Sequence, residues 1–204
     1  MQRSLIHHHY CPMRSFMPLS SILLVIGLLF SSHNAIANGR TQVDQELRQK
    51  LIEAVNQADS FEDRFEAEVW LLDMSNRTRR YIKDDQERLH VLRSVHREAT
   101  KAGLPPDLVL SVIHTESLFQ RFAISVVGAQ GLMQVMPFWK NEIGRPEDNL
   151  TEIDTNLRYG CTILSHYIKR SKGNLSEALA RYNGSYGRMK YPNKVYANQN
   201  RYLD

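Results

Sequence analysis

The chain has 204 residues, and its 26 lysines and arginines against 22 aspartates and glutamates give a formal charge of +4. This length suits one domain and is short for two. The positive excess is mild and compatible with an acidic polymer as partner. No basic stripe or nucleic-acid motif accompanies it, which argues against a nucleic-acid-binding protein. No stretch reaches the roughly 18 to 20 apolar residues of a membrane-spanning helix.

The first 37 residues have the pattern of a secretory signal peptide. Arg3 and Arg14 precede a short apolar run over 22–30, and Ala35 and Ala37 follow it. A positive region, a short apolar core and a small-x-small end are the three parts of such a peptide. An uncleaved membrane anchor is the alternative, but the run is too short to span a bilayer comfortably. We expect an exported protein, periplasmic or secreted, with peripheral membrane association left open.

Most of the chain after the leader predicts helices. Apolar residues recur at helical spacing up to Val55, and Asp84 caps another helix because Glu87 follows it as in a capping box. Gly103 is expected to end that helix. Between these segments, another helix is predicted, with Ser60 as its cap. Its expected buried face consists of Phe61, Phe65, Val69, Trp70 and Leu72.

The second half also reads as helix, interrupted by a loop. Pro106 begins a helix, because proline at a first helical position loses no hydrogen bond. A glycine-containing loop over 128–137 follows it. A long helix is expected from Ile153 to near Gly173, and a short helix over 176–182.

The resulting fold class is mainly α, with little or no sheet, because no alternating apolar–polar run of convincing length occurs. The tail from Tyr186 has no clear period. We divide the chain into a signal peptide over 1–37, a helical N-terminal extension over 38–83 and a main helical unit over 84–204. No Gly/Ser/Pro-rich linker separates the last two, so one compact body is expected.

Glu116 is the candidate catalytic residue. It follows Val112 by four residues and Leu108 by eight, so it shares their apolar helix face. A carboxylate there is costly if it stays charged and unpaired, and burial raises its pKa. A carboxylic acid that keeps its proton near neutral pH can protonate a leaving group. From periodicity alone, a surface glutamate near a helix end is an equally open interpretation.

Three ordered motifs contain or follow this glutamate. They are Glu116-Ser117, Gly131-Leu132-Met133-Gln134 and Tyr182-Asn183. In combination they closely resemble the soluble lytic transglycosylase family over about residues 90–195, although any one motif alone would be uninformative. The resemblance implies a lysozyme-like helical domain that carries a groove for glycan.

The resemblance also implies roles for individual residues. Glu116 would be the catalytic acid and then the base. Ser125 would help to orient the N-acetyl group of the substrate, with capping of a short helix as the alternative. Gln134 would hydrogen-bond a sugar, with a buried structural amide as the alternative. Asn156 and Gly160 resemble a family segment in which a helix packs close to the site.

The remaining predicted site residues flank the groove. Met133 and Met136 would form its apolar wall or pack beneath it. Tyr182 would bring its hydroxyl close to the catalytic glutamate, and Asn183 would hold the local backbone. Arg181 is expected to point outward, near the anionic peptide stems of the substrate.

No cofactor and no metal are expected. His114 precedes Glu116 by two residues, but positions two apart on a helix point to different sides. No cysteine or second histidine has the spacing of a metal ligand.

The family's reaction is non-hydrolytic cleavage of peptidoglycan glycan strands, at the β-1,4 bond between N-acetylmuramic acid and N-acetylglucosamine, with a 1,6-anhydromuramoyl product. Most glycosidases use two carboxylates. The sequence places no second acid as convincingly as Glu116, because Asp107 lies at the far end of the same helix. A hydrolytic muramidase is the nearest alternative, which Asp148 would favour if it reached the groove. A further alternative is a non-catalytic cell-wall-binding or secretion-apparatus protein. Whether the chain has protein partners is left open.

Overall fold

The computed structural model describes residue 45 and residues 48–203, so the predicted signal peptide lies outside the described residues. Within this part of the chain there are eight helices and no strand, which confirms the mainly α fold class. The helices are α1 over 48–56, α2 Arg64–Thr78, α3 Asp85–Ala102, α4 Pro106–Ser117, α5 Trp139–Ile143, α6 Ile153–Arg170, α7 Leu175–Tyr182 and α8 Lys190–Gln199. None of the described helices has both the length and the apolar character needed to cross a membrane.

Helix α3 begins and ends where the sequence predicts, and helix α4 begins at the predicted residue. The Asp84 carboxylate accepts the Glu87 N–H at 2.7 Å, and Gly103 adopts a left-handed φ of 68° after the last turn of α3. Helix α4 starts at Pro106, whose missing N–H would have no partner in the first turn. Local capping chemistry therefore determines the two helices that lead to Glu116.

The start of α2 differs from the sequence prediction. Asp63 caps this helix, because its carboxylate accepts the N–H groups of Phe65 at 2.7 Å and Glu66 at 3.1 Å. Ser60, the predicted cap, instead bonds the Nδ1 atom of His96 at 2.8 Å. An aspartate directly before the first turn satisfies two free N–H groups, which a serine three residues earlier cannot reach.

The predicted buried face of this helix is wrong for three of its five residues, whereas Phe61 and Trp70 are partly buried against the core. Phe65 is 74% exposed, Val69 52% and Leu72 42%. The helix buries a different stripe, formed by Ala67, Leu71, Met74, Ser75 and Thr78. This stripe is hard to recognise because two of its members are polar. The hydroxyl of Thr78 is satisfied locally, since it donates to the Met74 carbonyl at 2.6 Å.

Helix α8 lies in the tail that has no clear sequence period. Only Tyr191, Pro192 and Val195 of this helix are buried. A tyrosine, a proline and one valine make a weak apolar signal, which explains why the sequence analysis predicts no helix there. Helix α8 packs along α4, and so brings the tail to the helix that carries Glu116.

One hydrophobic core joins the described helices. It contains Leu51 of α1, Leu71 of α2, Leu92 of α3, Val109 of α4 and Leu164 of α6. The first two helices therefore pack with the rest instead of forming a separate body. The division of the chain at residue 83 stays a prediction.

A buried amide fixes the loop between α4 and α6. The Nδ2 group of Asn156 donates to the carbonyls of Gln130 at 2.8 Å and Leu150 at 2.7 Å, and its Oδ1 atom accepts the Met133 N–H at 2.8 Å. Asn156 is only 1% exposed. A buried amide with both N–H groups and its oxygen engaged holds its neighbours in one geometry.

Position 131 requires glycine, both because of its backbone conformation and because of its close neighbours. Its φ is +77°, and a Cβ atom there would lie 2.4 Å from the Leu150 carbonyl oxygen and 2.4 Å from Asn156 Nδ2. Neither neighbour can move without breaking the hydrogen bonds of Asn156. The close approach of the loop to α6 therefore depends on the missing side chain.

We expect Gly131→Ala to destabilise the fold more than Gly187→Ala. Gly187 has a matching φ of +78° but open space around its Cβ position, so its substitution carries only the backbone penalty of about 1–2 kcal/mol. Gly131→Ala adds a steric clash worth a further ~1–3 kcal/mol. Urea unfolding of both variants measures the difference. Equal losses would show that the loop is not locked against α6 as described.

Candidate active site

A cleft of about 230 Å³ opens beside the end of α4. Six of the seven predicted site residues line it: Glu116, Ser125, Gln134, Met136, Tyr182 and Asn183. They come from α4, from the following loop and from the end of α7, so residues distant in sequence meet at one place. Their individual roles stay predictions.

Met133, the seventh predicted residue, does not reach the cleft surface. Its side chain is 0% exposed and lies against Gly160, where a Cβ atom would be 2.3 Å from the methionine sulfur. The sequence leaves two placements for Met133 and Met136, in the groove wall or beneath it. Met133 packs beneath the wall. Met136 lines the cleft.

The Glu116 carboxyl group lies in the last turn of α4, at the helix end that disfavours negative charge. Burial raises the pKa of this carboxyl group above its ordinary value. Hydrogen bonds from Tyr191 and Asn183 act in the opposite direction, because they stabilise the charged form. Burial therefore favours the protonated form of Glu116, and hydrogen bonds from its two neighbours stabilise the carboxylate once the proton is lost.

The tyrosine that donates to Glu116 is Tyr191. Its hydroxyl lies 2.7 Å from Glu116 Oε1. Tyr182, which the family resemblance places next to the glutamate, donates instead to the Met133 carbonyl at 2.7 Å. Burial, followed by the nearby Glu116 charge, raises the pKa of both phenols well above the ordinary value. Both phenols therefore keep their protons and remain donors.

Tyr191 was missed from the sequence because it belongs to α8. Its only sequence signal is the spacing of four residues to Val195, which also faces the core. Two apolar positions at helical spacing are too few to predict a helix, and nothing in the motifs points to this tyrosine.

Ser125 and Gln134 each combine a structural contact with a place in the cleft. Ser125 Oγ accepts the Ala129 N–H at 3.0 Å. Gln134 Nε2 donates to the carbonyls of Ala123 at 3.1 Å and Gly131 at 2.9 Å. A serine that accepts one bond still has its hydroxyl hydrogen, and a glutamine amide still has its oxygen. The cleft wall thus offers one donor and one acceptor.

A polar and aromatic network anchors the end of α4. Ser117 Oγ lies 2.8 Å from the Leu132 carbonyl, which ties the helix to the loop. His114 bonds the hydroxyls of Tyr202 at 2.8 Å and Tyr81 at 3.1 Å, and burial lowers its pKa. Both imidazole nitrogens therefore have structural partners. No group of residues suited to hold a metal ion occurs in the described part of the chain.

A second cleft, of about 280 Å³, meets the first at Glu116. Glu116 and Asn183 line both clefts. The second cleft also contains Arg188, Lys190 and Lys194. Among the described residues that line either cleft, Glu116 is the sole carboxylate.

Asp148, the candidate second carboxylate, lines a different cleft, with Arg158 and Tyr159. It accepts the Tyr159 hydroxyl at 2.5 Å and lies 3.3 Å from Arg158. The Tyr159 bond, followed by the Arg145 N–H and nearby arginines, holds its pKa below the ordinary value despite an opposing effect of burial. Asp148 is a structural anion in this arrangement and is not positioned beside Glu116.

A family model agrees with the motifs. The transglycosylase SLT domain family matches residues 93–203, a segment that contains every residue of both clefts. The solved X-ray structure of an inactive mutant of lytic transglycosylase Slt from Pseudomonas aeruginosa is similar, at 29% sequence identity and a TM-score of 0.42. That similarity covers 54% of this chain and 20% of the other, so the present chain spans about a fifth of that protein.

The family match covers more than half of the 204 residues. It confirms the family resemblance predicted from the three motifs, together with the all-α, lysozyme-like fold class. The chain belongs to the transglycosylase SLT domain family.

Proposed function

We propose that this chain is a peptidoglycan lytic transglycosylase with Glu116 as its single acid and base. The observation that carries the proposal is a lone, partly buried carboxyl group at the junction of two clefts, with Tyr191 donating to it at 2.7 Å. Membership of the transglycosylase SLT domain family supports the same reaction. The predicted signal peptide would bring the enzyme to its substrate outside the cytoplasmic membrane.

The raised pKa of Glu116 suits the first step. The protonated carboxyl group donates its proton to the glycosidic oxygen, and the bond from the muramoyl C1 to that oxygen breaks. The N-acetyl carbonyl of the muramoyl sugar assists from the opposite face, which replaces the second carboxylate used by most glycosidases. The leaving product carries a free 4-hydroxyl group on N-acetylglucosamine.

The second step returns the proton to Glu116. The carboxylate, stabilised by Tyr191 and Asn183, accepts the proton of the muramoyl 6-hydroxyl. The freed oxygen attacks C1, displaces the N-acetyl carbonyl oxygen that had bonded to C1 in the first step, and closes the 1,6-anhydro ring. No water is consumed, and the enzyme ends in its starting protonation state.

The two alternatives fit the structure less well. A hydrolytic muramidase with two carboxylates needs a second acid in the groove, but Asp148 lines a separate cleft. A protein that only binds cell wall has no use for a carboxyl group whose burial raises its pKa. The site therefore favours an enzyme with one catalytic carboxyl group.

Glu116→Gln should abolish product release from peptidoglycan sacculi, since proton transfer contributes about 10²- to 10⁴-fold to such rates. Mass spectrometry of released muropeptides should show products lighter than the hydrolytic ones by one water for the wild type and none for the variant. Asp148→Asn is the control and should keep the anhydro products. Full-mass reducing ends that disappear in Asp148→Asn would establish a hydrolase instead.

Tyr191→Phe should shift the alkaline limb of the pH–rate profile to higher pH. The Tyr191 hydroxyl stabilises the Glu116 carboxylate, so its removal raises the pKa of the acid further. The maximal rate should fall by about 10- to 100-fold, because a hydrogen bond to a charged group contributes roughly 1.5–3 kcal/mol. Tyr182→Phe is the comparison and should leave the limb in place. A shift in Tyr182→Phe alone would favour the tyrosine suggested by the family resemblance.

Glu116→Gln should also stabilise the fold at neutral pH. Since burial raises the folded pKa above the ordinary 4.5, the unfolded chain loses this proton first as pH rises. The wild type therefore loses stability between the unfolded and folded pKa values, and glutamine avoids that loss. Melting temperatures from pH 3 to pH 8, at roughly unit spacing, measure the effect. The variant's advantage should vanish below about pH 4.5, and an advantage independent of pH would contradict the burial argument.

A further inference from the structure

The second cleft beside Glu116 differs in charge from the first, and we call it the basic cleft. Arg188, Lys190 and Lys194 contribute three cations to it, and Glu116 is its sole carboxylate among the described residues. The three side chains belong to exposed residues, and the structure shows no ion pair between them and any described carboxylate. Their charge is free to act on a ligand.

Two of these cations are unfavourably placed in the protein alone. Lys190 and Lys194 lie four residues apart on α8, where like charges repel. Lys190 is also the first residue of α8, and the positive end of a helix disfavours a cation. No acidic residue occurs in that first turn to offset either effect. An anion bound between the lysines would remove the repulsion.

A neutral group in the same wall also lacks a partner. The Ser185 hydroxyl oxygen is shut off from solvent and makes no hydrogen bond. Buried hydroxyl groups almost always have a partner, which makes Ser185 a further candidate donor to a ligand bound in the cleft.

Arg181, which is predicted from the sequence to lie near anionic peptide stems, already has partners within the protein. Its guanidinium lies 2.8 Å from Glu177 and 4.0 Å from the centre of the Tyr186 ring. Its charge is therefore balanced by its own helix. Recognition of an anion falls to the basic cleft instead.

We propose that the basic cleft binds a carboxylate carried by a muramoyl residue of the glycan strand, next to the bond that is cleaved. This inference rests on the proposed function, because it assumes that the strand runs through both clefts past Glu116. The carboxylate comes either from the peptide stem or, in a strand without stems, from the lactyl group itself. Strands of N-acetylglucosamine alone lack any such charge, so the cleft would distinguish cell-wall glycan from neutral glycan.

The test measures binding by the full chain carrying Glu116→Gln, so that no ligand is consumed. Arg188→Gln, Lys190→Gln and Lys194→Gln are added together. The matched control adds Lys169→Gln, Arg170→Gln and Lys172→Gln, the same residue types in an exposed segment that lines neither cleft. The ligands, of equal sugar number, are peptide-bearing strands, strands stripped of stems by an amidase, and neutral N-acetylglucosamine oligomers.

The cleft variant should bind carboxylate-bearing strands about tenfold more weakly, since each exposed ion pair contributes a few-fold. Its affinity for the neutral oligomer should not change, and the control should match the parent for every ligand. Added salt should weaken the parent's binding more than the variant's. A loss limited to peptide-bearing strands identifies the stem as the source, and a loss for stripped strands as well identifies the lactyl carboxylate.

Ser185→Ala provides a second measurement that a folding defect cannot imitate. It should weaken carboxylate binding while the melting temperature stays level or rises, because the change removes an unsatisfied buried group.

Equal loss for charged and neutral ligands in the cleft variant, or no loss for either, would overturn the inference. Anhydro products from the wild type alongside that result would leave the proposed function intact. Charge-dependent binding without any cleavage by the wild type would overturn the proposed function and support anion recognition.

Discussion

A carboxyl group withdrawn from water at the last turn of a helix must keep its proton or obtain donors for its charge. Glu116 is in this position, and its surroundings supply both solutions. Burial raises its pKa, while Tyr191 and Asn183 stabilise the charged form from the side of the clefts. These opposing effects are what a group needs if it is to act first as an acid and then as a base. The rest of the fold can be understood as the support that keeps these groups in place.

That support comes from two directions. Helix α8 packs along α4 and places the Tyr191 hydroxyl 2.7 Å from the carboxyl oxygen. From the other side, Asn156 of α6 binds three backbone groups around the loop that carries Gln134, and Gly131 permits the close contact. Both supports act through satisfied hydrogen bonds at buried positions, where a lost partner costs more than the bond itself contributes. Substitutions in these supporting residues would therefore alter the position of the groups around Glu116.

The parts of this fold that the sequence predicts are those where local chemistry decides. Asp84 and Gly103 bound α3, and Pro106 begins α4, because caps and prolines act over one turn. The face of α2 was predicted wrongly in part because tertiary packing buries a stripe that includes Ser75 and Thr78 and leaves Phe65 exposed. Tyr191 was missed for the same reason: α8 is defined by its contact with α4 and not by its own periodicity. The family motifs contain Glu116, Asn183 and one wall of the first cleft, but the second donor to Glu116, Tyr191, lies outside them.

In the proposed function, the two clefts that meet at Glu116 would recognise different chemical groups of the strand. The first offers a hydroxyl, an amide and an apolar wall, which suit the N-acetyl and hydroxyl groups of a sugar. The second offers three cations, which suit a carboxylate and gain little from neutral sugar. Hydrogen bonds at fixed positions orient a sugar, whereas exposed cations select by charge over a longer range and with less geometric demand. In the proposed function, orientation on one side of Glu116 and charge selection on the other would align a strand at the bond that is cleaved. The substituents that chitin-like strands lack would then distinguish it as cell-wall glycan.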